Sequence, residues 1–267
     1  MSPSPLREIA YRIDPVPWVK EVLKVDPSKW QEDLLRAPRG GSILALTARQ
    51  MGKTTAAGWA MAHTATFEPG SLSVIACPTQ NQSAEGVRRV REGLLKAGAT
   101  LTTDNVHRLE LDNGSRVLAL PGNDDSVRGL TVDGWIVADE AARVSADLIA
   151  ALRPMRARKP QARLAMLSTA WTRSDPFWKV WESEDSHWIR IRATANIGIY
   201  DSLFLDRERE ALGEHVFNRE YLGIPGGEHA SPFTWELFET AMQIHVPRVP
   251  SGAASSPAAI GCRGAGH

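Results

Sequence analysis

The segment Thr47-Ala48-Arg49-Gln50-Met51-Gly52-Lys53-Thr54-Thr55 has the residue types and spacing to hold nucleotide phosphates. Phosphate loops follow the pattern Gly, four residues, Gly-Lys-Ser/Thr, between a strand and a helix, and only Thr47 departs from it here. Backbone amides at the start of the following helix can hold phosphate oxygens, Lys53 can reach the β- and γ-phosphates, and Thr54 can bind Mg²⁺. Every residue of this segment is therefore predicted to contribute to ATP binding.

Two adjacent carboxylates, Asp139 and Glu140, follow the apolar run Trp135–Ala138. Asp139 is suited to holding Mg²⁺, and Glu140 to orienting and deprotonating an attacking water. An acidic pair after a strand also occurs simply as a charge pair at a helix start. This pair follows the phosphate loop at a sequence distance that suits such sites, and it ends a separate predicted strand. We therefore predict an ATP-hydrolysing site.

Apolar runs of strand length alternate with helical patterns around both motifs. The spacing predicts strands over 42–47, 72–77, 106–111, 116–120, 135–138, 164–167 and 187–191. It predicts helices over 16–25, 28–36, 53–66, 80–97, from near 145, and over 175–184, 203–212 and 214–222. Such alternation indicates a mostly parallel sheet covered by helices on both faces, which is a three-layer α/β/α fold.

The chain divides by composition into segments with different expected roles. Residues 1–14 contain several prolines and are expected to form a loose arm, and residues 15–200 to form the ATPase core. Residues 201–228 hold the last two short helices and are expected to form a lid or linker subdomain. Residues 229–267 begin as a vestigial linker and become rich in Ser, Ala, Gly and Pro, which predicts disorder.

Composition limits the class of protein. The 31 basic and 31 acidic residues give a formal net charge of zero, which does not point to nucleic acid as a partner. Cys77 and Cys262 are the only cysteines, which argues against a disulfide scaffold or a zinc site. The start of the chain lacks a secretory signal, and no apolar stretch approaches the ~20 residues that span a bilayer. We therefore expect a soluble, cytoplasmic protein with no membrane partner.

Further motifs, in the right order, make the sequence resemble the large terminase subunit of tailed bacteriophages. Its phosphate loop resembles that family's deviant form, in which Arg-Gln precedes an apolar residue and Gly-Lys-Thr and the first position need not be Gly. The other matching segments are Trp30-Gln31, Cys77-Pro78-Thr79, Arg128-Gly129, Asp139-Glu140 and Ser168-Thr169-Ala170. The resemblance extends over residues 17–225.

The resemblance implies a P-loop NTPase fold of the ASCE, RecA-like type with a small helical lid. It also assigns roles to individual residues. Gln31 is expected to contact adenine, Arg49 to contact phosphate within the same subunit, and Thr169 to sense the γ-phosphate. Arg128 resembles the arginine finger that a neighbouring subunit inserts towards the γ-phosphate, where its charge stabilises the transition state.

Each of these roles has a simpler alternative. Gln31 also occupies the closing position of a capping box that begins at Ser28. Arg128 and Arg49 can form ordinary ion pairs with nearby carboxylates. Thr169 can simply end a strand and satisfy a helix cap.

The resemblance further implies partners. The expected function is Mg²⁺-dependent ATP hydrolysis that drives viral double-stranded DNA into a capsid, in the cytoplasm of the host cell. The expected partners are DNA, the portal protein of the procapsid, the small terminase subunit and further copies of the chain in a ring. Two basic clusters are weak candidates for DNA contact, or else solvated helix faces: 88–91 and 153–163.

The family usually carries a second, nuclease domain, and the residues after 225 do not predict one. Phe233–Glu239 resembles the linker that leads to it, so we hypothesise a truncated gene product or a subunit split from its nuclease. Two other functions remain open: a prophage remnant that binds nucleotide without turnover, and a superfamily 2 helicase. The intact Lys53, Thr54, Asp139 and Glu140 argue against the remnant, and the order Ser168-Thr169-Ala170 argues against the helicase.

Overall fold

An eight-stranded sheet forms the centre of the computed structural model, which describes residues 4–120, 129–195 and 200–226. All of these residues belong to one compact unit, Met1–Glu228. The strands are β1 Ser42–Thr47, β2 Leu72–Ala76, β3 Leu101–Asp104, β4 Arg108–Leu111, β5 Arg116–Leu120, β6 Trp135–Asp139, β7 Arg163–Ser168 and β8 Trp188–Ala193. Their order across the sheet is β3-β4-β5-β2-β6-β7-β1-β8. Every neighbouring pair is parallel except β3–β4 and β4–β5, which confirms the mostly parallel sheet.

Helices cover both faces of the sheet. They are α1 Pro5–Ile13, α2 Pro15–Trp18, α3 Lys29–Leu35, α4 Lys53–Phe67, α5 Gln80–Lys96, α6 Ala146–Leu152, α7 Pro176–Glu182, α8 Ser202–Leu212 and α9 Glu214–Phe217. Two π-helical turns, Val19–Leu23 and Asn218–Leu222, continue α2 and α9. Short 3₁₀ turns occupy Ala141–Arg143 and Arg153–Arg156.

Alternate residues of each central strand pack into different layers. On β1, Ile43 and Ala45 join the core formed with α1 to α5, whereas Leu44 and Leu46 join the core formed with α6 and α7. All of β1, β2 and β6 is buried, as expected for parallel strands with helices on both sides. The three-layer α/β/α arrangement predicted from the apolar runs is therefore confirmed.

The N-terminal segment differs from the loose arm expected for residues 1–14. Residues 5–13 form α1, whose Tyr11 is buried and donates a hydrogen bond to Glu21. The prolines suggested irregular structure, but Pro5 stands at the first turn of the helix, where its missing N–H costs nothing. Asp14 then caps α2 by accepting a hydrogen bond from the Val16 amide at 3.0 Å.

The antiparallel edge of the sheet contains a strand that the sequence did not predict. The turn at Gly114, where φ is +82°, joins β4 and β5 as expected from Asp-Asn-Gly. Leu101–Asp104 adds a further strand, β3, outside β4. Its sequence, Leu-Thr-Thr-Asp, is mostly polar, and its positions alternate between half-buried and exposed. It therefore contains no apolar run from which a strand could be predicted.

The segment after β8 forms a small layer of its own. Here α8, α9 and the turn Asn218–Leu222 pack around Phe217, Tyr221 and Ala195, which lies two residues after β8. We call 202–222 the lid segment. Within the described residues, no helix is long and apolar enough to cross a membrane. The linker and tail predicted over 229–267 lie outside the described residues.

Candidate nucleotide-hydrolysis site

The order of the strands brings the two chemical motifs together. Strand β7 lies between β1, which leads into the phosphate loop, and β6, which ends at Asp139. Parallel strands all end at the same edge of the sheet, and ligands bind at that edge in open α/β folds. The segments that follow β1, β6 and β7 therefore converge on one site.

The phosphate loop has the backbone conformation of a tight turn that opens a helix. Gln50 and Gly52 adopt positive φ values of 57° and 79°, and α4 begins at Lys53 with Gly52 at its cap. Ala48 donates a backbone hydrogen bond to Ala193 at 2.7 Å, which ties the loop to β8. Thr47, which stands where the common pattern has Gly, is fully buried, and its hydroxyl donates to the Ala48 carbonyl at 3.1 Å. The amides at the start of this 15-residue helix form a site suited to anions.

Lys53 and Thr54 contact the acidic pair directly. The Thr54 hydroxyl donates to Oδ2 of Asp139 at 2.5 Å, and Nζ of Lys53 lies 3.4 Å from Oε1 of Glu140. Asp139 is only 2% exposed, and burial raises the pKa of its carboxyl group, while the Thr54 hydrogen bond and the charge of Lys53 oppose that shift. Residues 85 positions apart in sequence thus form one cluster.

Glu140 sits in a left-handed backbone conformation, with φ 53° and ψ 43°. This region is costly for a residue with a side chain, and such strain is found preferentially at functional sites. Two hydrogen bonds hold the turn: the Arg143 amide donates to the Glu140 carbonyl at 2.8 Å, and the Ala142 amide donates to Oγ of Ser168 at 3.1 Å. Ser168 therefore links the end of β7 to the turn, a role that the sequence did not reveal.

Gln31 uses both ends of its side-chain amide. Its Oε1 accepts a hydrogen bond from the Ser28 amide at 2.9 Å, which closes the capping box of α3. Its Nε2 donates to the Met51 carbonyl at 3.4 Å, inside the phosphate loop. These contacts make Gln31 a support of the loop, and its expected contact with adenine stays a prediction.

Arg49 joins the phosphate loop to the lid segment. Its guanidinium lies 3.6 Å from the Glu220 carboxylate, and its amide donates to the Glu220 carbonyl at 2.8 Å. Tyr200 donates a hydrogen bond to the Arg49 carbonyl. Glu220 also pairs with Arg219 at 3.0 Å. The structure thus contains an ion pair of Arg49 with a partner that no motif near the loop could have identified, and the expected contact of Arg49 with phosphate stays a prediction.

Two predicted site residues remain, Thr169 and Arg128. Thr169 is buried directly after β7, between the two strands that carry the phosphate loop and the acidic pair. Arg128 lies outside the described residues, which resume at Gly129.

The two basic clusters are largely engaged in contacts within the chain. On α5, each arginine pairs with carboxylates: Arg88 and Arg89 with Glu85 and Glu92, and Arg91 with Asp104. In the second cluster, Arg156 and Arg163 donate to backbone carbonyls of the segment before β1. These pairings favour the interpretation of the α5 cluster as a solvated helix face.

The donors at the site suit a magnesium ion bound together with phosphate. The Thr54 hydroxyl and the Asp139 carboxylate both offer oxygen, the ligand that Mg²⁺ prefers. The described part of the chain contains no group of three or more His, Cys, Asp or Glu residues that could hold a metal alone. A site of this kind fits Mg²⁺, which is commonly bound through few protein ligands plus phosphate oxygens and water.

A family model matches most of the chain. Residues 44–240 match the model described as "Terminase large subunit, T4likevirus-type, N-terminal". The match includes the phosphate loop, the acidic pair and the lid segment. No curated protein matches the sequence.

Solved structures share the fold at low sequence identity. The ATPase domain of the Thermus phage P74-26 large terminase superposes with a TM-score of 0.68 at 20% identity, over 79% of this chain and 98% of that one. The large terminase of another thermophilic bacteriophage, in complex with ADP, gives 0.60 at 16% identity, over 74% of this chain and 53% of that one. The same large terminase in complex with ATP-γ-S gives 0.54 at 13% identity, over 74% of this chain and 52% of that one. This chain thus corresponds to about half the length of the nucleotide-bound large terminase.

Proposed function

Because this chain belongs to the large terminase subunit family, we propose that it hydrolyses ATP in a Mg²⁺-dependent reaction that drives viral double-stranded DNA into a capsid. The observation that carries the proposal is the direct contact of Lys53 and Thr54 with Glu140 and Asp139. Binding of ADP and ATP-γ-S by the structurally similar large terminase of a thermophilic bacteriophage supports nucleotide as the ligand.

Each side chain of the cluster has a distinct task in the proposed reaction. Loop amides and Lys53 hold the phosphates, while Thr54 and Asp139 would hold Mg²⁺, which neutralises charge on the phosphate oxygens when bound. Glu140 accepts a proton from a water molecule as the water oxygen attacks the γ-phosphorus. The bond from that phosphorus to the β–γ bridging oxygen breaks, and ADP and inorganic phosphate leave.

The ion pair between Lys53 and Glu140 suggests how the site is kept inactive before nucleotide binds. Lys53 is 7% and Glu140 29% exposed at the side chain, so each neutralises the other in a partly desolvated place. Phosphate oxygens compete for the lysine, which frees the Glu140 carboxylate to act on water. Nucleotide binding and activation of the base thereby become one event.

The proposed motor acts as an assembly in the host cytoplasm. Its partners are DNA, the portal protein of a procapsid, a small terminase subunit and further copies of the chain in a ring, with Arg128 completing the site of a neighbour. Family membership supports this set of partners. The second cluster also contains three exposed basic residues that could contact DNA phosphates, of which Lys159 lies 3.8 Å from Asp133: Arg153, Arg158 and Lys159.

The test is ATPase activity of the purified full chain, alone and with portal protein and empty capsid shells. We expect slow turnover alone and faster turnover with shells, dependent on added Mg²⁺. Nucleotide binding without turnover in either condition would support the prophage remnant instead. Absence of nucleotide binding would contradict both.

A further inference from the structure

The side chain of Trp171 connects two arginines from different parts of the fold. The guanidinium carbon of Arg143 lies 4.1 Å from the centroid of the Trp171 ring, and that of Arg219 lies 4.2 Å from it. Arg143 belongs to the 3₁₀ turn after Glu140, Trp171 follows β7, and Arg219 belongs to the lid segment. We call these three residues the Trp171 cluster.

On the lid side of the cluster, Arg219 is connected to the phosphate loop through Glu220 and Arg49. Arg219 donates to Oε1 of Glu220 from both Nε and Nη2, at 3.2 and 3.0 Å. The Glu220 side chain is 6% exposed and also pairs with Arg49. A buried carboxylate depends strongly on its cationic partners, so the position of Arg219 affects Glu220 and, through it, Arg49.

On the other side of the cluster, Arg143 belongs to the 3₁₀ turn that follows Glu140. Arg143 ends the 3₁₀ turn, and its amide donates to the carbonyl of Glu140. The strained conformation of Glu140 persists only if its surroundings enforce it. The stacking of Arg143 on Trp171 fixes the far end of that turn, as Ser168 fixes its middle.

The backbone of Trp171 is attached to the segment after the lid as well. The Gly226 amide donates to the Trp171 carbonyl at 3.0 Å, and Thr172 and Gly226 form a parallel bridge. The indole is therefore held in place while it contacts both arginines. Trp gives the strongest cation–π contacts of the aromatic residues.

We infer that Trp171 is a positioning residue that couples the lid segment to the Glu140 turn. The inference deepens the proposed function and rests on it for its kinetic consequence. A displacement of Arg219 alters the indole contact shared with Arg143 and thus the stability of the turn that aims Glu140. The coupling itself is a property of the folded chain, and it can be measured without turnover.

Hydrogen exchange of the full-length protein tests the coupling. The exchange rate of amides in 141–144 is measured for wild type, Arg219→Gln, Trp171→Leu and the double variant. We expect exchange to be roughly 2- to 10-fold faster in Arg219→Gln, which loses one cation–π contact. Exchange in Trp171→Leu, which loses both contacts, should be at least as fast, and the double variant should match Trp171→Leu. Arg209→Gln is the matched control, because Arg209 stacks on Phe217 within the lid, 4.6 Å from the ring centroid.

Three results would overturn the inference. The first is unchanged exchange at 141–144 in Arg219→Gln, and the second is an Arg219→Gln effect that persists in the Trp171→Leu background. The third is uniformly faster amide exchange along the whole chain in Trp171→Leu, as expected if Trp171 only supports the fold. None of these outcomes depends on ATP hydrolysis, so they are separable from failure of the proposed function.

Kinetics then test the consequence. Trp171→Leu should lower kcat with little change in KM for ATP, and Trp171→Phe, which keeps an aromatic face, should restore most of kcat. An equal loss in Leu and Phe variants would contradict a cation–π contact as the cause. If wild type shows no turnover under any condition, the proposed function fails while the exchange result stands.

Discussion

Glu140 combines the chemical group needed to activate water with a backbone conformation that few residues adopt. Its carboxylate lies 3.4 Å from Nζ of Lys53, and the hydrogen bonds of the following turn hold its backbone. Asp139, one residue earlier, points to Thr54 instead. Two neighbouring carboxylates thus contact different partners, which is consistent with the different tasks proposed for them.

Replacing Glu140 by Gln should abolish hydrolysis and preserve nucleotide binding. The amide keeps the shape of the side chain but cannot accept a proton, and general-base catalysis contributes on the order of 100-fold or more. The measurement is steady-state release of phosphate together with binding of a fluorescent ATP analogue. Glu182→Gln is the matched control, since Glu182 pairs with Arg173 at 3.4 Å on the surface. Retained turnover in Glu140→Gln would show that another group activates the water.

At the residue scale, the sequence predicted the groups that belong to local motifs and missed the groups that act across the fold. Lys53, Thr54, Asp139 and Glu140 were identifiable because phosphate and magnesium chemistry dictates their types and spacing. Glu220 was not, because a glutamate in a helical segment carries no sign of the partner it will meet. The same holds for Ser168 and Trp171, whose roles depend on which strands lie side by side.

Helix α4 must lie close to α5 for the phosphate loop to be positioned, and small residues permit this approach. A Cβ atom added at Gly58 would lie 2.7 Å from Cβ of Arg89 and 3.1 Å from its backbone carbon. Real Cβ atoms essentially never lie within 3.0 Å of another heavy atom, and the Cβ of Arg89 cannot move without its backbone. The first helix after the loop is therefore set by backbone packing as well as by its apolar residues.

Gly58→Ala should destabilise the protein by about 1–3 kcal/mol, the usual cost of overpacking. The direction of the change in the free energy of unfolding is informative, because replacing Gly by Ala in an exposed helix interior stabilises a protein by about 0.5–1 kcal/mol. Urea unfolding of the two proteins measures the difference. A more stable variant would mean that the two helices lie further apart than described.

Acid should weaken the packing of α1 and α2 against α4 through His63. This histidine is 9% exposed, contacts Trp18 and Phe67, and hydrogen-bonds through Nε2 to the Tyr11 carbonyl at 2.7 Å. Burial lowers its pKa below the ordinary 6.5, although Glu68 and Asp14 oppose the shift. Between the lowered pKa and 6.5 the unfolded chain binds more protons than the folded one, so stability is present above 6.5 and declines as pH falls below it.

The measurement compares urea unfolding of wild type and His63→Gln at about pH 7.5 and about pH 5.5. Glutamine can keep the hydrogen bond to Tyr11 but does not titrate. We expect a smaller loss of stability on acidification in the variant. An identical loss in both proteins would show that other groups cause the acid sensitivity.

At the element scale, the apolar runs predicted the central strands, because strands buried on both faces have no other composition available to them. Pattern reading missed two elements, β3 and α1. β3 is polar because it lies at the edge of the sheet, and α1 begins at Pro5, which suits a first helical turn. Neither carries the long periodic signal on which the other predictions rested.

At the scale of the whole molecule, we expect that one subunit does not complete its own catalytic site. Arg128 is expected to act on the site of a neighbour, and it lies outside the described residues. The P-loop fold and the family are established for the chain, and the proposed ring is the assembly in which to test this residue.

Mixing Arg128→Ala subunits with Glu140→Gln subunits should restore activity that neither variant has alone. In a random equal mixture, about a quarter of sites pair an intact Glu140 with an intact arginine from the next subunit in a head-to-tail ring. Shell-stimulated ATPase activity is measured for each variant and for the mixture. A mixture as inactive as its components would place the action of Arg128 within its own subunit, or remove it from catalysis.

The proposed function depends most on the convergence of Lys53, Thr54, Asp139 and Glu140 around one triphosphate. An experimental structure of the protein with Mg²⁺ and ATP-γ-S tests this most directly. We expect Lys53 to move from Glu140 to the β- and γ-phosphates, and the Thr54 hydroxyl to bind a magnesium ion beside Asp139. Nucleotide bound elsewhere on the protein, or bound here with Lys53 and Asp139 facing away from it, would contradict the proposed ATP-hydrolysis site.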